Sequence, residues 1–365
     1  MKRLSRLGCV ILLLVMSLPV LAAQHCVVLQ YHHVSENTPG ITSVTPGQFQ
    51  DHLDYLQENR FRVMRLSEVV ERLKSRAPLP ENCVALSIDD AFLSAYEEAW
   101  LRARKYDYPL TVFVSTSSVD QGIGGYMTWQ QIREMAASGL VDFQNHSQSH
   151  EHLIRLREGE SIEDWEQRIA SEILLAQNRI QQELGTTPTL FAYPYGEFNL
   201  ALRELVLSMG LTGFGQQSGP AWSGGNFGSL PRFPMNTMYA SMRSFPTKVR
   251  TLPLPITAAW PAEPVVEDGV WQPTLTLAFE ESAPQPRRLT CYVNGSKDVE
   301  YRWTAGESQT VEVTPKGVLQ VGRNRYNCTL PAGDGRYYWY SHNWFRRHSD
   351  GSWYREPGMS HPGNR

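Results

Sequence analysis

The chain has 365 residues, of which 41% are hydrophobic and 19% are charged, and its formal net charge is -3. This length favours two domains, and the apolar fraction is sufficient for a buried core. The composition has no basic excess, which argues against nucleic acid as a partner.

The N-terminus has the pattern of a secretory signal peptide, predicted over residues 1–23. A basic start precedes a short apolar run, residues 8–21, which ends in small residues at Ala22 and Ala23. A membrane anchor is the alternative, but the run is shorter than the roughly 20 apolar residues of a spanning helix. We therefore expect an exported protein, periplasmic or extracellular, without stable membrane insertion after cleavage near Ala23.

Short apolar runs alternate with amphipathic segments in the first two thirds of the chain. The predicted strands are Cys26–Tyr31, Cys83–Ile88, Leu110–Ser115, Val141–Gln144 and Leu190–Ala192. The predicted helices begin near Pro46, Ser67, Leu93, Trp129, Ile162 and Leu200. This alternation predicts a parallel sheet, open or closed into a barrel, with right-handed crossovers. In either form, the active site lies at the carboxyl ends of the strands.

A proline-rich stretch, residues 251–268, has the character of a linker. Its prolines are Pro253, Pro255, Pro261 and Pro264. The segment has no amphipathic period. Beyond it, at residues 269–365, short alternating runs between turns predict a small all-β sandwich domain. Its many aromatic residues could stack on sugar rings, which would make the domain carbohydrate-binding, or they could form its core. The sequence leaves both interpretations open.

Three polar clusters each follow a predicted strand. The first is Asp89-Asp90, the second pairs His146 with His150, and the third is the proline turn at residues 193–197. Adjacent carboxylates after an apolar strand are costly unless a cation receives them. Two histidines separated by three residues can bind one divalent metal. Each cluster alone is a weak signal, but the three together indicate an active site.

These clusters resemble the motifs of the polysaccharide deacetylases of carbohydrate esterase family 4, the NodB-homology group, over roughly residues 26–236. The aspartate pair and the His-Ser-x-x-His run correspond to two of the family's motifs. The run Tyr31-His32-His33-Val34 is similar to an element of the circularly permuted branch, which includes the biofilm poly-N-acetylglucosamine deacetylases. The resemblance implies a distorted (β/α) barrel at residues 24–250.

The same resemblance implies a hydrolase acting on carbon–nitrogen bonds, which removes N-acetyl groups from an amino-sugar polysaccharide. The permuted element favours an exopolysaccharide of the poly-N-acetylglucosamine type. Asp90, His146 and His150 would hold one divalent metal ion. Zinc suits these ligands, with cobalt, nickel or manganese as alternatives.

The remaining candidate residues would carry the proton transfers. Asp89 would be the general base, and His32 would be the general acid that protonates the leaving sugar nitrogen. The backbone N–H of Tyr195 would help to hold the oxyanion. Many family members have an arginine shortly before the proline turn, which is missing here. Arg232 is our candidate to pair with Asp89 instead, with an ordinary structural arginine as the alternative.

Some residues depart from the family pattern or have no assigned role. Ala91 stands where the family usually has glycine, and alanine is suitable there if its φ is negative. His52 lies on a predicted helix and His152 on a predicted loop, so we expect both side chains to be solvated.

Two other functions stay open. An O-acetyl ester on a glycan passes through the same tetrahedral oxyanion, so an esterase could use the same residues. A non-catalytic glycan-binding protein on a retired deacetylase fold should have lost part of the base, acid or metal set. Every member of that set is present in this chain, which argues against this alternative.

Four cysteines follow the signal region, an even number that suggests disulfides in an exported protein. Cys26 lies six residues before His32, and Cys83 lies six residues before Asp89. If both strands are neighbours in a parallel sheet, the two cysteines lie side by side and can pair. The remaining pair is Cys291 and Cys328. Four free, buried thiols are the alternative.

Overall fold

The structure, a computed structural model, describes residues 24–304 and 309–355. The predicted signal peptide lies outside the described residues. Within these two ranges, no helix is long and apolar enough to cross a membrane.

The described part of the chain alternates strands and helices first and is mostly β-structure afterwards. The strands are β1 (His25–Tyr31), β2 (His33–Val34), β3 (Ser43–Val44), β4 (Arg62–Val63), β5 (Cys83–Ile88), β6 (Leu110–Val114), β7 (Val141–Asn145), β8 (Leu190–Ala192), β9 (Thr212–Phe214), β10 (Ala221–Trp222), β11 (Phe233–Pro234), β12 (Leu252–Pro253), β13 (Ile256–Trp260), β14 (Leu275–Phe279), β15 (Thr290–Val293), β16 (Val299–Thr304), β17 (Thr310–Pro315), β18 (Gly322–Pro331) and β19 (Tyr337–Arg346). The α-helices are α1 (Pro46–Glu58), α2 (Leu66–Ser75), α3 (Leu101–Ala103), α4 (Thr116–Asp120), α5 (Trp129–Ala137), α6 (Ile162–Leu184), α7 (Leu200–Ser208) and α8 (Phe245–Lys248). A π-helical turn spans Ala95–Trp100, and 3-10 turns span Arg104–Tyr106, Pro194–Gly196 and Pro286–Arg288.

The main sheet is curled and barrel-like, with the strand order β10-β1-β5-β6-β7-β8-β9. The strands from β1 to β9 in this order are parallel, so their carboxyl ends share one edge. Residues 227–234 run between β9 and β1: Leu230 pairs with Phe214, and Phe233 pairs with Leu29. The predicted barrel-like α/β fold is therefore confirmed in outline.

Strong apolar runs explain why these strands lie inside the molecule. Every residue of β5 and of β6 is buried, as expected for a parallel sheet covered on both faces. Side chains of β1 alternate between two apolar clusters: Val27 and Leu29 contribute to one, and Cys26 and Val28 contribute to the other. The sheet is therefore packed on both faces, and its polar residues concentrate at the carboxyl edge.

Both expected disulfides are present. Val27 of β1 pairs with Val84 of β5, which places the preceding cysteines next to each other in the Cys26–Cys83 bond. In the second bond, Cys291 of β15 lies directly opposite Cys328 of β18.

The C-terminal part contains two four-stranded sheets, with the orders β12-β19-β18-β15 and β13-β14-β17-β16. Their apolar side chains meet in one core, with Leu275 and Val313 from one sheet and Tyr326 and Leu330 from the other. Burial alternates along β17, as expected for a strand with one solvated face.

The segment predicted as a linker contains two of these strands. Both β12 and β13 are the first strands of their sheets, so each forms a sheet edge. Proline is tolerated in edge strands because its missing N–H need not face a partner. Part of the segment predicted as a linker, residues 251–268, is therefore regular β-structure.

The aromatic residues of the C-terminal part are mainly packed rather than displayed. Tyr337 is 40% exposed, whereas Trp344 is 2% and Tyr354 is 6% exposed. Trp339 is partly buried and packs its ring edge-on against Phe233 of the barrel, with 5.3 Å between the ring centroids. These contacts favour a packing role for most of this aromatic group.

Candidate active site

Three side chains converge at the carboxyl edge of the barrel. Asp90 follows β5, while His146 and His150 follow β7. One ligand atom from each lies within 4.8 Å of the others. Asp90 Oδ1 is 3.2 Å from His146 Nε2 and 3.1 Å from His150 Nε2. All three residues are buried. Two imidazoles and one carboxylate around one point are a donor set for a divalent metal with an open coordination position.

The surroundings of His146 fit a metal ligand. Its Nδ1 donates a hydrogen bond of 2.7 Å to the carbonyl oxygen of Ala192, at the end of β8. A carbonyl can only accept, so Nδ1 carries a proton, and in the neutral form of the ring Nε2 would present its lone pair towards Asp90 and a metal. The buried Asp90 Oδ1 forms no hydrogen bond of good geometry with a described residue. A cation would satisfy both atoms, and such orientation of a ligand histidine is usual in metal sites.

Hydrogen bonds within the loop and to α6 hold the loop that carries the two histidines. Ser147 N–H donates to Asn145 Oδ1, and His150 N–H donates to Ser147 Oγ. Glu172 of α6 accepts hydrogen bonds from both the N–H and the hydroxyl of Ser149. These bonds fix a tight turn in which Ser147 and His150 adopt positive φ values of 66° and 58°.

The backbone after β5 is also in the left-handed region. Asp90 has a φ of 74° and Ala91 has a φ of 58°. The condition of a negative φ at Ala91 is therefore not met, and alanine occupies a conformation that glycine adopts more easily. This backbone geometry aims the Asp90 carboxylate at the two histidines and the neighbouring Asp89 carboxylate towards Arg232.

Asp89 forms a buried ion pair with Arg232, as the sequence suggested. Arg232 Nη1 donates to Asp89 Oδ1 at 2.6 Å, and Nη2 donates to Oδ2 at 2.8 Å. Gln30, which the sequence analysis missed, donates to Oδ2 at 2.6 Å. Burial would raise the pKa of Asp89, but the Arg232 guanidinium outweighs it and lowers that pKa. The carboxylate therefore stays ionised.

The described residues leave one acceptor position of the Asp89 carboxylate without a hydrogen bond. A carboxylate offers about four acceptor positions, and the bonds from Arg232 and Gln30 occupy three of them. The remaining position on Oδ1 can accept a proton from a water. Gln30 could have been noticed in the sequence, because it is a polar residue inside the apolar run of β1.

His32 follows β1 and lies at the same edge. Its Nε2 is 3.9 Å from Asp89 Oδ2, and its side chain is 17% exposed. Burial lowers the pKa of His32, and the nearby carboxylates of Asp89 and Asp90 partly offset this. The neighbouring His33 instead stacks on Phe92, with 3.7 Å between the ring centroids.

Tyr195 occupies the turn after β8. Gly196 N–H donates to the carbonyl of Tyr193, which closes a four-residue turn. Tyr195 is the third residue of this turn, with a φ of 59° and a ψ of 3°, values that a type II turn requires and that glycine usually supplies. Its ring lies 4.6 Å from the ring of His150. The turn therefore borders the metal-ligand cluster.

A second buried carboxylate, Glu197, supports this turn; the sequence placed it in the third polar cluster but assigned it no role. It is 1% exposed. It receives hydrogen bonds from His152 Nδ1 at 2.8 Å and from the Tyr354 hydroxyl at 2.6 Å. The expected solvated His152 is therefore wrong: its ring stacks on that of Tyr195, with 3.9 Å between centroids. Tyr354 is 157 residues away in the sequence, so no local pattern predicted the contact.

His52 is also not solvated, contrary to expectation. It is fully buried on α1. Its Nε2 donates to the Ala240 carbonyl at 2.6 Å, and its Nδ1 accepts from the Tyr31 hydroxyl at 3.0 Å. These two bonds fix a neutral ring that connects α1, β1 and the segment before α8.

Residues 76–214 match the family model for polysaccharide deacetylases. The match begins after His32 and ends before Arg232. Poly-beta-1,6-N-acetyl-D-glucosamine N-deacetylase of Escherichia coli (strain K12) is 23% identical over 214 residues, which cover 49% of this chain and 32% of that protein. The protein of the same name from Staphylococcus aureus (strain MRSA252) is 23% identical over 46% of this chain and 59% of that protein. The chain thus spans between about a third and three fifths of the length of these curated relatives.

The fold resembles solved deacetylase structures. The structure of IcaB from Ammonifex degensii aligns with a TM-score of 0.54 and 24% sequence identity, over 63% of this chain and 99% of that one. The aligned fold agrees with the barrel-like sheet, and the family match covers the aspartate pair, both histidines and the proline turn. The match of residues 76–214 to the polysaccharide deacetylase model therefore agrees with the family resemblance of the motifs.

Proposed function

We propose that this protein is an exported, metal-dependent deacetylase that hydrolyses N-acetyl groups of an amino-sugar polysaccharide. The convergence of Asp90, His146 and His150 beside the Asp89–Arg232 pair carries this proposal. A divalent cation held by the first three residues would supply Lewis-acid polarisation of the acetyl carbonyl and would lower the pKa of the attacking water.

The chain's own residues would carry out the proton transfers. Asp89 would accept the proton of the water on the remaining position of Oδ1. Arg232 and Gln30 would hold the carboxylate in place throughout. The N–H of Tyr195 would stabilise the negative charge that develops on the acetyl oxygen.

His32 would return a proton to the leaving nitrogen. Its pKa is lowered by burial, so the ring of the free protein is mainly neutral and must gain a proton first. Solvent can supply this proton, because the His32 side chain is 17% exposed and the nearby Asp89 and Asp90 carboxylates partly offset the effect of burial on its pKa. Water would thus give one proton to Asp89, and His32 would give one proton to the sugar nitrogen. The products would be a free amine and acetic acid, which ionises to acetate, and Asp89 would return its proton to solvent.

The relatives indicate the substrate class. Two proteins named as poly-beta-1,6-N-acetyl-D-glucosamine deacetylases match this chain, so we propose a polymer of the poly-N-acetylglucosamine type. Two disulfides support an oxidising compartment and hence export. We also propose that the two C-terminal sheets form a β-sandwich domain, with zinc as the resident metal of the barrel.

Acetate release from partly acetylated β-1,6-glucosamine oligomers tests this proposal. We expect the mature protein to release acetate after zinc is restored to the metal-stripped form, and not before. Asp89→Asn keeps the shape of the side chain but removes its basicity, and should lower kcat by at least about a hundredfold with metal binding retained. Glu312→Gln, which changes a partly exposed carboxylate of β17 in the C-terminal sheets, is the matched control and should leave kcat unchanged.

The same assay separates the alternatives. Release from O-acetylated oligomers, without release from N-acetylated ones, would make the protein an esterase. An absence of release from both substrates, with zinc bound and glycan retained on an affinity gel, would identify a binding protein and contradict the proposal.

A further inference from the structure

The turn at Tyr195 is held in a strained conformation by residues from outside the barrel. A non-glycine residue with a φ of 59° carries a conformational cost of about 1 kcal/mol or more. The next residue, Gly196, also has a positive φ of 67°, and a Cβ on it would lie 2.5 Å from the Gln216 side chain. Neither residue can relax without a shift of the turn, so the conformation needs support from its surroundings.

One support comes from the C-terminal sheet that contains β18. Arg323 of β18 donates through Nη1 to the carbonyl oxygen of Tyr195 at 3.0 Å. Its guanidinium also lies 5.7 Å from the centre of the Tyr195 ring. Because this carbonyl belongs to the peptide that follows Tyr195, the hydrogen bond restrains ψ of the strained residue. The N–H of Tyr195 belongs to the preceding peptide, so the bond acts on this N–H indirectly, by holding the turn in place.

A further support comes from the segment after β19. Tyr354 donates its hydroxyl to Glu197 Oε1 at 2.6 Å, and its carbonyl accepts a hydrogen bond of 2.9 Å from Arg155 Nη1. Glu197 Oε2 in turn accepts from His152, whose ring lies nearly parallel to that of Tyr195, at 12°. The chain of contacts therefore runs from the C-terminal segment to the ring of Tyr195.

We infer that the C-terminal sheets position the oxyanion-binding turn of the barrel, with Arg323 and Tyr354 as positioning residues. This inference rests on the proposed function, because it assigns the Tyr195 N–H to the oxyanion. It gives the C-terminal part a role in catalysis that requires no contact between that part and the substrate. Such a donor must be aligned to within a fraction of an ångström, since small misplacements reduce the rate strongly.

The test measures turnover and backbone protection in the full-length mature protein. We expect Arg323→Ala to lower kcat by about tenfold while KM and zinc affinity stay within about twofold. Arg323→Lys, which can still donate to the carbonyl, should recover most of kcat. Arg302→Ala removes an arginine of β16 that pairs with Glu312 on the surface, and this control should leave kcat unchanged.

Hydrogen–deuterium exchange of the segment 193–199 supplies a readout that needs no activity. Arg323→Ala should accelerate exchange there by about tenfold, and Tyr354→Phe should act in the same direction. Unchanged exchange would overturn the inference, and so would faster exchange with unchanged kcat in an active protein. If the wild-type protein releases no acetate but exchange still increases, the contacts hold the turn as inferred and the proposed function fails instead.

Discussion

The barrel mouth, meaning the loops at the carboxyl edge of the main sheet, and the C-terminal sheets differ in where non-glycine residues adopt positive φ values. Positive φ values occur around the candidate site at Asp90, Ala91, Ser147, His150 and Tyr195. In the C-terminal sheets, described non-glycine residues with positive φ are Gln285 and Asn294, at a 3-10 turn and a hairpin turn. Unfavourable backbone geometry is thus concentrated where side chains must converge, as at many functional sites.

The two regions also differ in how they treat charge. The barrel buries the Asp89–Arg232 pair completely, with both side chains 0% exposed. In the sheets, Arg302 pairs with Glu312 at the surface, with the arginine side chain 73% exposed. A buried pair costs desolvation that only its partner and hydrogen bonds offset, whereas a surface pair costs little and contributes little. The candidate site therefore depends more strongly on a single charged partner than the surface of the sheets does.

The largest difference should appear when each arginine is removed. Arg232→Met leaves Asp89 buried without its cation, so we expect a loss of about 3–5 kcal/mol in the free energy of unfolding. Arg302→Met should cost about 1 kcal/mol or less. Urea denaturation followed by tryptophan fluorescence measures both. Similar losses for the two variants would contradict the contrast between the regions.

Acid should destabilise both regions through buried neutral histidines. Burial lowers the pKa of His52 in the barrel and of His342 in the sheets to about 4. The unfolded chain, with an ordinary histidine pKa near 6.5, binds protons more readily between pH 6.5 and 4. Stability is therefore lost as the pH falls through this window.

His342→Leu isolates the contribution of the sheets. Its Nε2 has no hydrogen-bond partner among the described residues, so leucine should be tolerated at neutral pH. Between pH 6.5 and 4 the variant should lose less stability than the wild type, by on the order of 3 kcal/mol. Urea titrations at several pH values measure this difference, with the exposed His348→Leu as control. Parallel pH profiles for wild type and His342→Leu would rule out the buried neutral ring.

The smallest effect concerns the strained residue after the aspartate pair. Ala91→Gly relieves the positive φ, but it also removes a buried methyl group and increases the entropy of the unfolded chain. These contributions oppose each other, so we expect a change within about 1 kcal/mol. A destabilisation clearly above 2 kcal/mol would show that packing of the methyl group, rather than backbone strain, dominates at this position.

The sequence predicted what depends on local pattern. Apolar runs ending in polar residues located β1, β5, β7 and β8, and their shared edge brought His32, Asp89 and His146 together. The pairing of Cys26 with Cys83 was predicted in the same way. Each cysteine lies six residues before a polar residue at this edge, so in neighbouring parallel strands the two cysteines lie side by side. Alternating apolar and polar residues also predicted β-structure at residues 269–365.

Contacts between distant segments were not predictable from pattern. Glu197 is held by Tyr354, and His52 is held by Ala240 at a separation of 188 residues. The sign of φ at Ala91 depends on where Asp90 must point, which a single sequence does not reveal. Pro253 in β12, and Pro255 and Pro261 on either side of β13, suggested a linker because edge strands and linkers both tolerate proline.

Zinc titration of the metal-stripped protein, with bound metal and acetate release measured on the same samples, tests the central claim most directly. We predict that bound zinc and acetate release rise together and saturate at one zinc ion per chain. In His150→Ala, half-saturation of both should move to at least about a hundredfold higher zinc concentration. Full activity without bound metal, or an unchanged titration in His150→Ala, would contradict the proposal that Asp90, His146 and His150 form the catalytic metal site.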